Sequence, residues 1–289
     1  DKLRTLALRY DLTQREEGDF FGGPDASIRE YLRDWGFADD YISNFVEPFY
    51  GGITLDRSLA TSKEVFEYTF RAMGRGAIGV PAEGMRAIPE ALAAGARDAG
   101  VTVETGEDVE AVRTAGQGRI PFRTGRADAE GATVELADGS TREADAVVVA
   151  ATPPEARRLT GVESIPTEAV PNVTGWYTLP ADESFETGKR ILLNAVEASP
   201  NAVVPMSEVA PEYASDDRAL LAATFLGEES LDRPADALRT DVRDALAAWY
   251  PDRAFEGLET VDVHRIRFAQ FAQPPGVHDG LPDPDDHSV

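Results

Sequence analysis

Eight residues, Ala144-Asp145-Ala146-Val147-Val148-Val149-Ala150-Ala151, form a nearly unbroken apolar run that stops at Thr152-Pro153-Pro154. A strand with one wet face alternates apolar and polar residues. A strand apolar at successive positions must be covered on both faces, which is the condition inside a parallel sheet. The prolines end that strand and open a short helix over 154–159. Such a strand requires helices packed on a sheet, so the run predicts an α/β architecture.

The rest of the chain predicts how that architecture is divided. Ser27 and Glu30 form a helix-start pair, and Ile28, Tyr31, Leu32 and Trp35 then share one helix face before Gly36. A second helical stretch, 41–49, is expected to break at Pro48 and Gly51-Gly52, and a third covers 62–73. An Ala-rich helix over 89–99 leads to strand candidates at 101–104 and 107–113. Asp138-Gly139 marks a hairpin between Thr133–Leu136 and the segment from Arg142. Strands follow at 175–179, 190–195, 202–206, 220–226 and 260–268. A helix over 234–249 carries Leu238, Val242, Leu246 and Trp249 on one stripe. Helices first, one βαβ-like unit in the middle and then strands describe two interleaved domains rather than two in series. The 289 residues suffice for one large domain or two ordinary ones.

Several chemistries are excluded or unsupported. With no cysteine, the chain has no thiol nucleophile, disulfide, Fe–S cluster or zinc-thiolate site. His264, His278 and His287 show no metal-ligand spacing and no adjacent carboxylate cluster, so no metal site is expected. A literal G-x-G-x-x-G occurs at Gly74–Gly79, but a helical stretch precedes it and Val80-Pro81 follows. It reads as a connecting loop rather than a phosphate cradle. No stretch of about 18 apolar residues is present to span a bilayer.

Charge speaks to surroundings. Against 28 Lys+Arg stand 52 Asp+Glu, a net charge of −24, with three lysines (Lys2, Lys63, Lys189) and 25 arginines. That balance argues against a nucleic-acid partner. Acids spread along the whole chain suit a high-salt cytoplasm, where screening relieves self-repulsion. An acidic enzyme from a GC-rich genome would share the arginine bias, and maximal stability in low KCl would favour that alternative. The closing stretch, 283–289, reads as loop.

Several blocks together resemble the FAD-dependent amine oxidase-like proteins, a family that includes flavin amine oxidases, protoporphyrinogen oxidase and carotenoid desaturases. They are Ser27–Leu32 with Trp35-Gly36-Phe37, Phe45–Ile53 with Leu55-Asp56, Gly79–Met85 with Ile88–Leu92, Val101–Val103, Val109–Val112, and Ala144–Pro153. Glu83 stands where the resembled P-x-G-G-M segment often has Gly. The resemblance implies an α/β fold in which an FAD-binding domain and a substrate domain of mixed sheet and helices interleave. It assigns 1–75 and 161–260 to the substrate domain, 76–160 to the FAD-binding domain, and 261–289 to a return toward the latter. It implies cofactor contacts at Val109, through its backbone, and at Ala150, Ala151, Thr152, Pro153, Gly84 and Met85. A plain core strand residue is the alternative reading of Val109.

Phe49, Tyr50, Trp176, Tyr177 and Phe268 are candidates to line an apolar substrate cavity, with ordinary core packing as the alternative. The implied activity is hydride transfer from a largely apolar substrate (amine, porphyrinogen or polyene) to flavin N5. The partner is then a small molecule, peripheral membrane contact is compatible with it, and no catalytic residue is assigned. The family's own G-x-G-x-x-G and closing Gly-Asp segments would flank these residues, so the chain reads as a mid-chain fragment. A non-catalytic apolar-ligand module and a nicotinamide-dependent reductase are the alternatives.

Overall fold

The computed structural model describes residues 1–21, 23–114, 131–197 and 199–282. The loop reading of 283–289, with His287, lies outside them. In chain order the elements open with α1 (Lys2–Gln14), α2 (Ile28–Asp34), α3 (Asp39–Tyr41), a π turn (Ile42–Val46), α4 (Glu47–Thr54), α5 (Lys63–Arg75) and α6 (Ala87–Asp98). Strands β1 (Val109–Thr114), β2 (Ala132–Leu136) and β3 (Thr141–Ala144) come next, then α7 (Pro153–Thr160) and β4 (Ala169–Pro180). The chain continues through β5 (Leu192–Leu193), β6 (Ala202–Pro205), α8 (Met206–Val209), β7 (Arg218–Leu226), α9 (Ala235–Trp249) and β8 (Glu259–Phe271).

Two compact units interleave along the chain. The first comprises Asp1–Pro89 and Ala169–His278, the second Glu90–Glu168 and Asp279–Val289. Strand β8 stays in the first unit, running to Phe271 antiparallel to β4, and the chain passes to the second unit at Asp279.

The first unit has two cores. Its helical core gathers Leu8, Leu12, Ile28, Leu32, Ile42, Tyr50 and Phe66. The α2 start behaves as its sequence predicts: the Glu30 backbone N–H donates to Ser27 Oγ, and the Ser27 N–H donates to Glu30. The break expected at Gly51-Gly52 is corrected, since both glycines lie inside α4. They serve close packing instead. A Cβ on Gly51 would sit 2.8 Å from Arg57 Cγ, and one on Gly52 would sit 3.0 Å from Asn201 Nδ2.

The sheet core lies under a five-stranded sheet of order β5-β6-β7-β4-β8, in which every pairing is antiparallel. Along β4, Val173, Gly175, Tyr177 and Leu179 face inward while the residues between them are half-buried. Leu238, Val242 and Leu246 of α9 complete this core with Leu221, Ala223 and Phe225 of β7. The stripe predicted from sequence at i, i+4 and i+8 is the stripe that packs.

The second unit departs most from expectation. Its sheet is antiparallel, β1-β2-β3, with the Asp138-Gly139 hairpin formed as predicted. Residues 101–104 form no strand. Nor does the apolar run form a buried parallel strand: 145–152 has no ladder partner among the described residues, and Val148 is 91% exposed. An apolar strand is buried only if neighbouring strands and helices cover it, and the described residues supply neither.

Carboxylates tie down turns in the first unit. Glu208 accepts from the Thr187 N–H (2.7 Å), the Thr187 hydroxyl (2.9 Å) and the Lys189 N–H (2.9 Å). Burial alone would raise its pKa, but these donors outweigh it and hold the carboxyl below its ordinary range. A depressed folded-state pKa contributes stability above the unfolded value, and that stability is lost as pH falls through the folded one. Glu208→Gln should therefore destabilise by about 1 kcal/mol at neutral pH. In urea unfolding, the gap to the parent should close as pH falls below about 4. A gap that persists in acid would show that charge is not its origin.

Candidate functional site

The face of the five-stranded sheet opposite α9 carries Asn172, Thr174, Trp176 and Thr178 of β4, which are half-buried. Register brings specific neighbours beside them. Thr174 pairs with His264, Trp176 with Asp262 and Asn172 with Ile266 on β8, while Ala222 of β7 lies opposite Trp176 on the other side. Cross-strand and diagonal pairs on one face are within reach of aromatic side chains.

Three of these side chains form a chain of contacts. Trp176 Nε1–H donates to His264 Nδ1 at 3.4 Å, and His264 Nε2 lies 2.9 Å from Asp262 Oδ2. Indole nitrogen only donates, so Nδ1 accepts and the proton resides on Nε2, which donates to Asp262. The rings meet edge-on with centroids 6.3 Å apart. His264 and Asp262 are more than half exposed. An aromatic surface beside an oriented imidazole and an exposed carboxylate can hold an apolar body with one cationic or hydrogen-bonding group.

Two of the histidines each meet a single carboxylate, a contact absent from the sequence-based expectations. Asp262 and His264 are an i, i+2 pair, and in a strand that spacing puts both on one face, a signal present in the sequence. His278 Nδ1 lies 2.8 Å from Glu64 Oε2, both largely buried, across a separation that no local pattern reveals.

The other cavity candidates separate. Phe49 is half-buried and stacks on Phe45 with centroids 5.4 Å apart, continuing a ladder from Phe37 through Tyr41. Phe268 is half-buried where the β8 register shifts. Tyr50 belongs to the helical core and Tyr177 to the sheet core, both fully buried, so neither borders the open sheet face.

The cofactor candidates fall in both units. In the first, Gly84 has φ +87° and closes a turn onto the Pro81 carbonyl, with Met85 exposed beside it. Glu83 is absent from the positive-φ residues, so the position that departs from the resembled motif does not require glycine. In the second, the Val109 and Glu110 carbonyls accept from Arg158 at 2.9 and 2.8 Å. Ala150, Ala151 and Thr152 are exposed, and Pro153 opens α7, whose N-terminus carries no side-chain cap.

The family model for flavin containing amine oxidoreductases matches residues 2–282. The chain belongs to this family. Similar solved structures agree in fold. An oxidoreductase from Methanosarcina mazei is 16% identical, with TM-score 0.62, over 89% of this chain and 60% of that one. A protein of Pyrococcus furiosus is 12% identical, with TM-score 0.65, over 91% and 62%. Putrescine oxidase bound to putrescine is 16% identical, with TM-score 0.60, over 95% and 64%. The chain therefore spans about three fifths of the length of these structures. No curated protein matches it in sequence.

The family's cofactor is FAD. The second unit fits it only in part. Ala150, Ala151 and Thr152 are small and exposed where a cofactor would lie, but Pro153 and Pro154 at the start of α7 carry no N–H and Glu155 adds a carboxylate to its first turn. The Val109 carbonyl already accepts from Arg158.

Proposed function

We propose that the whole protein oxidises a C–H bond of a largely apolar small molecule. FAD, when bound, supplies the hydride acceptor, and the protein supplies placement and exclusion of water. The observation that carries this reading is the family match over residues 2–282. The open sheet face supports a substrate cavity there, with Trp176 as its wall and Phe49 and Phe268 as further candidates. Porphyrinogens, polyenes and amines share an apolar body. The Asp262–His264 pair beside Trp176 favours an amine, whose ammonium form the carboxylate and indole would attract.

Cofactor contacts are proposed at Gly84, Met85, Val109 and Ala150–Pro153. The run 146–149, exposed at Ala146 and Val148 and half-buried at Val147 and Val149, keeps the composition of an interior strand, which supports its being covered by chain outside the residues given. The acidic surface supports a cytoplasm of high ionic strength as the setting.

Purified full-length protein should be yellow, and an amine should bleach its visible flavin band under anaerobic conditions. Trp176→Ala should raise KM about tenfold with unchanged flavin content. A colourless protein that takes up no FAD would overturn the reading, as would NADH oxidation without flavin. A flavin-loaded protein reduced by no amine, porphyrinogen or polyene would favour the ligand-binding alternative.

A further inference from the structure

Helix α1 is apolar on two opposite faces. Leu8 and Leu12 are buried in the helical core, at 1% and 0% exposure. On the opposite side Leu3, Leu6 and Tyr10 stand 82%, 61% and 70% exposed, spaced i, i+3, i+7 along one stripe. Three large apolar side chains exposed along one outer stripe, opposite a stripe already buried, call for a second apolar environment.

Its charges say which. In a chain of net charge −24, α1 holds Lys2, Arg4 and Arg9 against Asp11 alone. At 100° per residue, Lys2 and Arg9 border one edge of the stripe, while Arg4 falls well outside the other edge, toward the buried face. The acids here are taken up locally: Asp11 pairs with Arg15 at 2.6 Å, and Asp1 lies 3.7 Å from Arg4. Arg9 also donates to the Gly74 carbonyl at 3.1 Å, four residues before Ile78, itself 82% exposed. Another apolar side chain thus stands on the loop leaving the neighbouring α5.

We propose that the outer face of α1 docks on an anionic lipid surface. Leucines and an interfacial tyrosine flanked by long basic side chains suit the boundary between acyl chains and anionic headgroups, with the cations reaching outward. An antiparallel second copy of α1 fits less well, because the edge carrying Lys2 and Arg9 would face the same edge of its partner. The strongly acidic remainder is repelled by the same lipid surface, which favours approach by the basic-edged stripe. Screening over about 8 Å at physiological salt confines this attraction to α1 itself. The inference is independent of the oxidation chemistry proposed above.

Flotation of the full chain with phosphatidylglycerol–phosphatidylcholine vesicles at physiological salt tests it. Binding should exceed that to pure phosphatidylcholine by about tenfold. Leu3→Ser, Leu6→Ser and Tyr10→Ser combined should abolish binding while leaving the melting temperature unchanged, because all three side chains are exposed. Lys2→Glu with Arg9→Glu should remove the preference for the anionic vesicles. Absence of binding, equal binding by the triple serine variant, or no preference for phosphatidylglycerol would each overturn the proposal. So would lipid-free dimerisation that the triple variant abolishes, which would assign the stripe to a second copy.

Discussion

Gly175→Ala should destabilise the first unit by about 2–3 kcal/mol, although it adds one methyl group to a strand. Gly175 lies two residues before Tyr177 on the same inward face of β4. A Cβ there would fall 2.6 Å from Tyr177 Cε2 and Cζ, so the ring lies back over the glycine. Tyr177 is fully buried among Val173, Leu221, Phe225 and the α9 leucines, leaving its ring no direction in which to yield. Its hydroxyl has no hydrogen-bond partner among the described residues and burial pushes its pKa up, so packing rather than a polar contact there fixes the ring. Urea unfolding of Gly175→Ala, Tyr177→Leu and the double variant separates the causes. In the Tyr177→Leu background, Gly175→Ala should cost under about 0.5 kcal/mol, since the ring is gone and alanine restricts the unfolded chain. Equal cost in both backgrounds would show that the clash is with something other than the ring.

That glycine illustrates which parts of the fold can be read from sequence. Period and caps are local, so α2 with its Ser27–Glu30 pair, α9 with its leucine stripe and the Asp138-Gly139 hairpin are all legible. A glycine's purpose is not local. Gly51 and Gly52 resemble a helix break, yet they lie within a helix because Arg57 and Asn201 approach them from elsewhere in the chain. The run at 144–151 shows the complementary failure. Its composition specifies burial on both faces, but burial depends on neighbours, and among the described residues none covers it.

Site residues divide in the same way. The pair Asp262 and His264 follows from strand alternation once β8 is recognised, whereas their meeting with Trp176 depends on the register between β4 and β8. Aromatic content selects Trp176 and Tyr177 equally. Alternation then sends one to the open face and the other into the core, so strand phase rather than residue type decides which of them can meet a ligand.

Asn201→Ala should cost about 2–3 kcal/mol and loosen α4 from the sheet, because one side chain serves both. Asn201 is fully buried; its Nδ2 donates to the Pro48 carbonyl at 3.0 Å, and its Oδ1 accepts from Arg57 at 3.1 Å. Its backbone continues the β6–β7 ladder through the Thr224 carbonyl. Truncation removes a buried side-chain donor from the Pro48 carbonyl of α4. It also removes an acceptor from a guanidinium whose pKa burial already lowers. Arg57 retains the Asn194 carbonyl at 2.9 Å, so the loss is partial there. Asn201→Asp distinguishes the two partners. It keeps an acceptor for Arg57 but turns a carboxylate oxygen toward the Pro48 carbonyl, and should be at least as destabilising as alanine. Hydrogen exchange over α4 should accelerate in both variants ahead of the sheet. A cost below about 1 kcal/mol with unchanged exchange over α4 would mean that helix and sheet are held together by packing alone. Phe49 rides on α4, so if the full-length protein has the proposed activity, the same variants should raise KM through that wall of the proposed cavity while leaving Trp176 in place.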